Sequence, residues 1–312
     1  MPIRISAVLK FAVAAVLVPM LTVQAGFGWG REGHMLINRM AAASLPKELP
    51  LFLRSAEAQQ AMEYFGPEPD RWRSPAEPEL SVVGAPEHFI DLEYADLIGT
   101  SLPPRRYDFV RALAYAQKAH PDLPLTAEKV GFQPYATDEG YERLKAAMRE
   151  YRGLVAEHNN VKPVECEIMY LAGILGHYVA DGSQPLHATI HYNGWTGENP
   201  HHYTTLHTIH AEFETRFVSA AVHADDVAPF VVAKPQLIDD VFTQYLAYLR
   251  RSNSLVEETY RLEQQGGFEG RGTPESRKFV DERLAAGVTE LRDLIYTAWI
   301  KSGDPVPQYH HP

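Results

Sequence analysis

The sequence predicts a single all-α domain, and three observations support this prediction. Of its 312 residues, 45% are hydrophobic and 22% are charged, which is ample apolar material for a core and excludes a disordered chain. Apolar residues recur at helical spacing in several segments, whereas no segment shows the alternation of a half-buried strand. No repeat, low-complexity tract or linker divides the chain. Its one cysteine, Cys166, excludes a disulfide framework, a zinc ribbon and an iron–sulfur cluster.

Residues 1–28 have the pattern of an export signal. Two basic residues, Arg4 and Lys10, precede an apolar run over 11–23, followed by small residues that allow cleavage after Ala25 or Gly28. We therefore expect an exported protein, periplasmic or secreted, whose functional domain is residues 29–312. The alternative is a retained membrane anchor. Without the leader's two bases, the formal net charge changes from −11 to −13.

Helices are predicted in order along the chain, with a loop in the first third. The apolar positions Ile37, Met40, Ala41 and Leu45 share a face of a helix over 33–45. The segment 65–87 is predicted to be a loop because it contains five prolines. Further helices are predicted over 107–119, 141–158, 164–181, from about 207 toward 222, and within 235–262.

The last helix and the most apolar one have the clearest signals. Thr273 is a candidate N-cap with Pro274 in the first helical position. An apolar stripe follows it, formed by Val280, Leu284, Val288, Leu291, Ile295 and Trp299. The helix over 164–181 is too hydrophobic for a surface position, so we expect it to be buried.

Two pairs of histidine and carboxylate have helical i, i+4 spacing. His177 and Asp181 lie on one face of the apolar helix, where an unpartnered carboxylate would be costly. His210 and Glu214 form a second pair, and His187 follows the turn between them. This is a nitrogen and oxygen ligand set without sulfur, which suits zinc and also allows manganese, iron or nickel. For each pair alone, a hydrogen-bonded helix end or a solvated helix face remains the alternative.

The start of the expected mature chain adds further ligands. Trp29 stands five residues before His34. If cleavage exposes Trp29, its α-amine can lose a proton to a metal ion at modest cost, and the amine and carbonyl of one residue can chelate.

With these residues, the sequence resembles the zinc-dependent single-strand-specific nucleases and the related bacterial zinc phospholipases C. The resemblance rests on four stretches in the family's order: Trp29-Gly-Arg-Glu-Gly-His34, Glu87-His88-Phe89-Ile90-Asp91, Gly176-His177 through Pro185-Leu186-His187, and His210-Ala-Glu-Phe-Glu214. It covers the chain from the expected mature N-terminus to about residue 214. It implies a compact helical domain that holds three zinc ions in a cleft.

The resemblance also implies a ligand set for each ion. One zinc takes Asp70, His88, His177 and Asp181; the second takes His187, His210 and Glu214; the third takes the Trp29 amine and carbonyl, His34 and Asp181. Asp70 is then a candidate to orient water or act as a base, and Asp91 to fix the tautomer of His88. Phe89 is a candidate to stack on a base. In such a centre the metal ions activate water for in-line attack on phosphorus, so no protein nucleophile is needed.

The expected substrate remains open between two branches of this family. Glu214 preceded by Phe213 resembles the phospholipases, whereas the step from Trp29 to His34 and the stretch from His88 to Asp91 resemble the nucleases. The leading hypothesis is an endonuclease for single-stranded DNA or RNA, with 3′-nucleotides as further substrates. The alternatives are a phospholipase C with an exposed apolar rim and a non-catalytic metal-binding protein. No obligate protein partner is evident from the sequence.

Overall fold

The computed structural model describes residues 29–306. The leader predicted at residues 1–28 lies outside the described residues. Within 29–306 the regular structure is helical, and the β-type contacts are two isolated bridges, Ile90–Gly131 and Tyr192–Gly194. The all-α prediction is therefore confirmed. Among the same residues, no helix is both long and apolar enough to cross a lipid bilayer.

Fifteen α-helical segments lie in the described part of the chain. They are α1 Gly30–Ala43, α2 Ala56–Phe65, α3 Glu68–Arg71, α4 Pro78–Gly84, α5 Leu92–Ala95, α6 Arg106–Ala119, α7 Ala127–Val130, α8 Gln133–Ala156, α9 Lys162–Ser183, α10 Ile209–Ala211, α11 Val218–Ala221, α12 Ala224–Val227, α13 Val241–Asn253, α14 Val256–Gln264 and α15 Pro274–Lys301. Short 3₁₀ turns span Leu51–Arg54, Ala85–His88, Asp96–Ile98, Pro185–His187 and Ala228–Phe230, and Glu212–Phe217 is a π-helix.

Helix α9 is the central element of the fold. It packs against α1, α2, α8, α13 and α15, and its second half, from Leu175 to Ser183, is buried throughout. The hydropathy of 164–181 thus correctly predicts a buried helix. The core continues along α15, where the predicted stripe from Val280 to Ile295 is buried and Trp299 is half-buried.

A glycine in α9 permits the close approach of α1. A Cβ atom added to Gly176 would lie 2.1 Å from the side-chain oxygen of Asn38, a distance that no side chain tolerates. Asn38 also donates a hydrogen bond to the carbonyl of His34, 2.9 Å away. This approach brings His34 onto the ring of His177, with ring centroids 3.9 Å apart and planes 14° apart.

Several predicted helices are present with shifted bounds. The helix expected over 141–158 begins at Gln133, because Pro134 occupies the first turn, where its missing N–H costs nothing. The start of α15 is as predicted: the Thr273 hydroxyl accepts a hydrogen bond from the Ser276 amide, and the Ser276 hydroxyl accepts one from the Thr273 amide.

Two other expectations need correction. The segment 65–87, predicted as a loop, contains the short helices α3 and α4, because Pro69 and Pro78 occupy first-turn positions that favour proline. The helix expected from about 207 toward 222 is interrupted by the π-helix Glu212–Phe217. Extra π turns inside helices are common at functional sites. Here the π-helix carries Glu214 and turns Phe213 into the core, against the rings of Trp29 and Phe268.

Candidate metal centre

The pair predicted on α9 lies at the centre of a buried cluster. Asp181 is fully buried, and its Oδ2 atom lies 3.4 Å from Nε2 of His177 and 3.1 Å from Nδ1 of His88. The two ring nitrogens are themselves 3.0 Å apart. Three ligand-type atoms from α9 and the Ala85–His88 turn thus converge on one point.

The turn that ends at His88 is held in place from both sides. The Ile90 amide donates to the His187 carbonyl at 2.9 Å, and Nδ1 of His187 lies 2.7 Å from the His88 carbonyl. Glu87 accepts hydrogen bonds from Arg106 and from the Tyr178 hydroxyl. Apart from the Glu87–Arg106 pair, these contacts join residues ninety or more positions apart, and they fix the turn beside the cluster.

The second predicted pair forms its own group with His187. Oε2 of the fully buried Glu214 lies 3.0 Å from Nε2 of His210 and 3.5 Å from Nε2 of His187. Nδ1 of His187 is 3.8 Å from Oδ1 of Asp181. The two groups are thus adjacent, with Asp181 between them.

His34 and Asp70 complete the set of converging side chains. Nε2 of His34 lies 3.4 Å from Oδ1 of Asp181 and 3.9 Å from Oδ2 of Asp70. Oδ1 of Asp70 is 3.8 Å from Nδ1 of His88 and 3.9 Å from Nε2 of His177. Asp70 therefore reaches the cluster despite its place on a short helix far along the chain from α9. It stands between His34 and His88.

Trp29 is anchored beside the cluster by its side chain. The ring is fully buried, and its Nε1 donates to the hydroxyl of Ser183, 2.6 Å away, at the end of α9. Its carbonyl oxygen accepts a 3.2 Å hydrogen bond from the Gly33 amide. Chelation by a freed Trp29 amine remains a prediction.

Three of the histidines are oriented by backbone carbonyls. Each uses Nδ1 for this contact and turns Nε2 toward the cluster; the pairs are His177 with Gly66, His187 with His88, and His210 with Tyr192, at 2.7–2.8 Å. This is the arrangement in which metal-ligating imidazoles are usually held, because it fixes the tautomer and the ring orientation.

The unsatisfied atoms fit a metal site. Buried Nε2 atoms of His34 and His187, and buried carboxylate oxygens of Asp70, Asp181 and Glu214, have no hydrogen-bond partner. Such groups are costly unless something else satisfies them. Ligands about 2.0–2.1 Å from a tetrahedral ion lie roughly 3.3 Å from each other, which matches the spacing around Asp181. Buried groups that could hold metal ions include His34 with Asp70 and His177, His88 with His177 and Asp181, and His187 with His210 and Glu214.

The charges in the cluster are strongly coupled. Burial alone would raise the pKa of Asp181, but the imidazoles of His187 and His177 hold it well below its ordinary value. Burial opposes the charged form of His187, yet Asp181 and Glu214 raise its pKa to about 9. Burial lowers the pKa of His34, and neighbouring His177 lowers it further. Asp181 thus stays ionised and His34 neutral, the forms in which carboxylate and imidazole can bind a metal ion.

A cavity of about 350 Å³ opens beside the cluster. His187 and His210 form part of its wall, and so does the half-buried Phe89. The predicted stacking residue therefore lies within the same cavity as two candidate ligands. A second cavity, of about 450 Å³ between α6 and α7, contains none of the candidate ligands.

Arg73 and Tyr192 are among the cavity residues that sequence reasoning missed. Arg73 lines the cavity, with Nη1 3.8 Å from Oδ1 of Asp70. Tyr192 lines it with an exposed ring. The signal for Arg73 was its position three residues after Asp70, which puts both on one side of a helical turn.

The role predicted for Asp91 is not what the geometry supports. No hydrogen bond joins Asp91 to His88 in the described structure, since Nδ1 of His88 faces Asp181 instead. The Asp91 carboxyl lines the cavity. Burial and the charge of Glu93 raise its pKa to about 8, which favours the protonated form of this carboxyl.

Comparison with protein-family models and with curated proteins found no match to this chain. The fold and the side-chain cluster therefore define the class of protein by themselves: an all-α domain with buried histidine and carboxylate groups that could hold metal ions.

Proposed function

We propose that this chain is an exported, zinc-dependent phosphodiesterase that hydrolyses single-stranded DNA or RNA, with 3′-nucleotides as further substrates. One observation carries the proposal: five histidines and three carboxylates, separated by up to 180 residues, converge beside a cavity that also presents an aromatic ring. Two features support the proposal together: the convergence of these side chains, and the resemblance of the sequence to zinc nucleases and phospholipases C.

The donor set suits zinc because it consists of imidazole nitrogens and carboxylate oxygens without thiolate. His88, His177, Asp70 and Asp181 would hold one ion, and His187, His210 and Glu214 a second. The Trp29 amine and carbonyl, His34 and Asp181 would hold a third. Bound zinc supplies Lewis acidity, which polarises phosphate oxygens and lowers the pKa of water.

The chain's own residues then bind and orient the substrate. The Phe89 ring offers a face on which an unpaired base can stack. The Arg73 guanidinium, which lines the cavity and lies 3.8 Å from Oδ1 of Asp70, pairs with a phosphate oxygen. The protonated Asp91 carboxyl donates a hydrogen bond to a base edge or a phosphate. Asp70 orients water for in-line attack and accepts its proton.

The net charge limits the length of nucleic acid that is bound. A formal charge of −13 on residues 29–312 repels a long polyanion, because phosphate contacts dominate nucleic-acid affinity. We therefore propose a short footprint of one to a few nucleotides. A single strand is favoured because a base must leave its stack to reach Phe89.

The decisive experiment assays purified exported protein on single-stranded DNA, RNA, duplex DNA and phosphatidylcholine vesicles. We expect hydrolysis of the single strands, its loss with chelator and its return with zinc. N-terminal sequencing of the same material should identify Trp29; a chain that begins at Gly26 would exclude the amine chelate. Turnover of no substrate at saturating zinc would instead indicate a non-catalytic metal-binding protein.

Replacing Phe89 with alanine should weaken the binding of single strands. Stacking of a base on an aromatic side chain contributes about 1–3 kcal/mol, so the KM should rise by about 5- to 150-fold with little change in kcat. Phe89→Tyr, which keeps the aromatic face, serves as the control and should retain a KM near that of wild type. An unchanged KM in the alanine variant would mean that the base stacks elsewhere.

A second candidate function, phospholipase C, is favoured by an exposed apolar helix. Helix α4 has no buried residue, and Leu80, Val82 and Val83 on it are 45%, 68% and 69% exposed. The helix runs directly into the turn that carries His88, between two ligand-bearing segments. Three exposed aliphatic side chains at this position match the apolar rim that a lipid substrate requires.

The triple variant Leu80→Ser/Val82→Ser/Val83→Ser separates the two candidates. If the substrate is a lipid, vesicle hydrolysis should fall by more than about tenfold, because burying each aliphatic side chain in lipid is worth 1.5–3 kcal/mol. Hydrolysis of a short single strand should not change. Val155→Ser, an exposed valine at the other end of α8 from the site, is the matched control. Equal vesicle rates in all three proteins would count against the phospholipase.

A further inference from the structure

Gln184 is a buried amide at the junction of the two ligand groups. It follows the last residue of α9 and precedes the turn Pro185–His187, and its side chain is fully buried. The side-chain oxygen accepts a hydrogen bond from the Leu186 amide, which caps this turn. The side-chain nitrogen donates to Oε2 of Glu214, 3.1 Å away. Both the oxygen and the nitrogen of the side-chain amide therefore form hydrogen bonds.

The backbone of Gln184 adds two further links. Its amide donates to the Asp181 carbonyl, and its carbonyl accepts from the His187 amide, both at 3.0 Å. One residue thus connects Asp181, His187 and Glu214, three candidate ligands on three different elements. The proline at 185 restricts the backbone between them further.

The contact with Glu214 sets the rotation of its carboxylate. Apart from ring nitrogens of His187 and His210, which are themselves candidate ligand atoms, Gln184 supplies the hydrogen-bond donor to this carboxylate in the described structure. It donates to Oε2, while Oε1 stays buried without a partner. An amide can do this, whereas a carboxylate of the same shape would repel Glu214 and an aliphatic side chain would leave it unsupported.

We propose that Gln184 is a positioning residue that holds Glu214 and the His187 turn in the geometry that binds a divalent cation at His187, His210 and Glu214. The inference rests on the metal centre of the proposed function. It acts through the ligands, since Gln184 itself does not line the cavity. Loss of an interaction that supports a metal ligand typically costs 10- to 100-fold in metal affinity.

The test compares Gln184→Leu and Gln184→Glu with Gln133→Leu. Gln133 is a matched control: it is equally buried, and its amide nitrogen donates to the Tyr178 carbonyl and the Tyr245 hydroxyl, not to a candidate ligand. The readouts are the zinc content after equilibration with a competing chelator, the visible spectrum of the cobalt-substituted protein, and the melting temperature.

We expect both Gln184 variants to hold one ion 10- to 100-fold more weakly than wild type and to lose one set of cobalt bands. Gln133→Leu should lower the melting temperature but keep the wild-type ion content. If Gln184→Leu is unfolded, the nearly isosteric Gln184→Glu decides the question. Wild-type affinity in a folded Gln184 variant overturns the inference and leaves the proposed function intact. A wild-type protein that holds no ion overturns both.

Discussion

On the proposed function, Asp181→Asn should lose more than about a hundredfold in phosphodiesterase activity and most of its zinc. Oδ1 of Asp181 faces His34 and His187, and Oδ2 faces His88 and His177, all within 3.1–3.8 Å. Through Oδ1, Asp181 therefore reaches His187 of the second group as well as His34. Since removing a group outside the ligand set already costs 10- to 100-fold, removing a carboxylate that is proposed to bind two ions should cost more.

Both activity and metal content measure this effect. Asparagine is nearly isosteric with aspartate. The circular dichroism spectrum of the Asp181→Asn variant should therefore remain helical while its zinc content drops. Asp281→Asn is the control, because Asp281 is a buried carboxylate on α15 outside the cluster, and its replacement should leave both values unchanged. Wild-type zinc content in Asp181→Asn would show that Asp181 does not bridge the ions, and the ligand assignment would have to be abandoned.

The parts of the centre that were predictable from sequence are those fixed by local geometry. His177 and Asp181 share a helix face because of their i, i+4 spacing, and the hydropathy around them predicts their burial. His210 and Glu214 have the same spacing, and they do converge on His187. Here, however, the π-helix sets the position of Glu214, and no sequence pattern indicated that turn.

The parts that were not predictable depend on contacts between distant segments. Asp70 lies on a four-residue helix, in a segment whose prolines predicted a loop. Its approach to His34 and His88 depends on the folded chain and on no local pattern. The resemblance made Asp91 a candidate to fix the tautomer of His88. In the described structure Nδ1 of His88 faces Asp181, and Asp91 lines the cavity instead.

Gln184 is a further residue whose contacts could not be predicted from the sequence. Its place between Asp181 and His187 was visible in the sequence, but an amide carries no catalytic signal of its own. Its importance depends on Glu214, thirty residues further along the chain. Motif spacing therefore identifies the groups that can bind a cation, whereas the residues that orient them become visible only in the fold.

If the proposed ions are bound, a chelator should lower the melting temperature by more than about 10 °C. The candidate ligands form a site only in the folded chain, so a bound ion stabilises the folded state and not the unfolded one. An ion present at a thousand times its dissociation constant contributes about 4 kcal/mol. In domains of 150–250 residues each kcal/mol shifts the melting temperature by about 2–4 °C. The loss of two ions should therefore lower the melting temperature by more than about 10 °C.

The buried atoms of the cluster make this effect larger than for a surface site. Without a cation, the unpartnered nitrogens and oxygens of His34, His187 and Glu214 stay buried and unsatisfied, at a cost to the folded state. Thermal unfolding is followed by circular dichroism in chelator, after zinc is restored, and with magnesium as a control ion that prefers oxygen ligands. Zinc should restore the melting temperature and magnesium should not. In Asp181→Asn the difference between chelator and zinc should shrink. Identical melting temperatures for the wild-type protein in chelator and in zinc would show that these side chains stabilise one another without a metal ion.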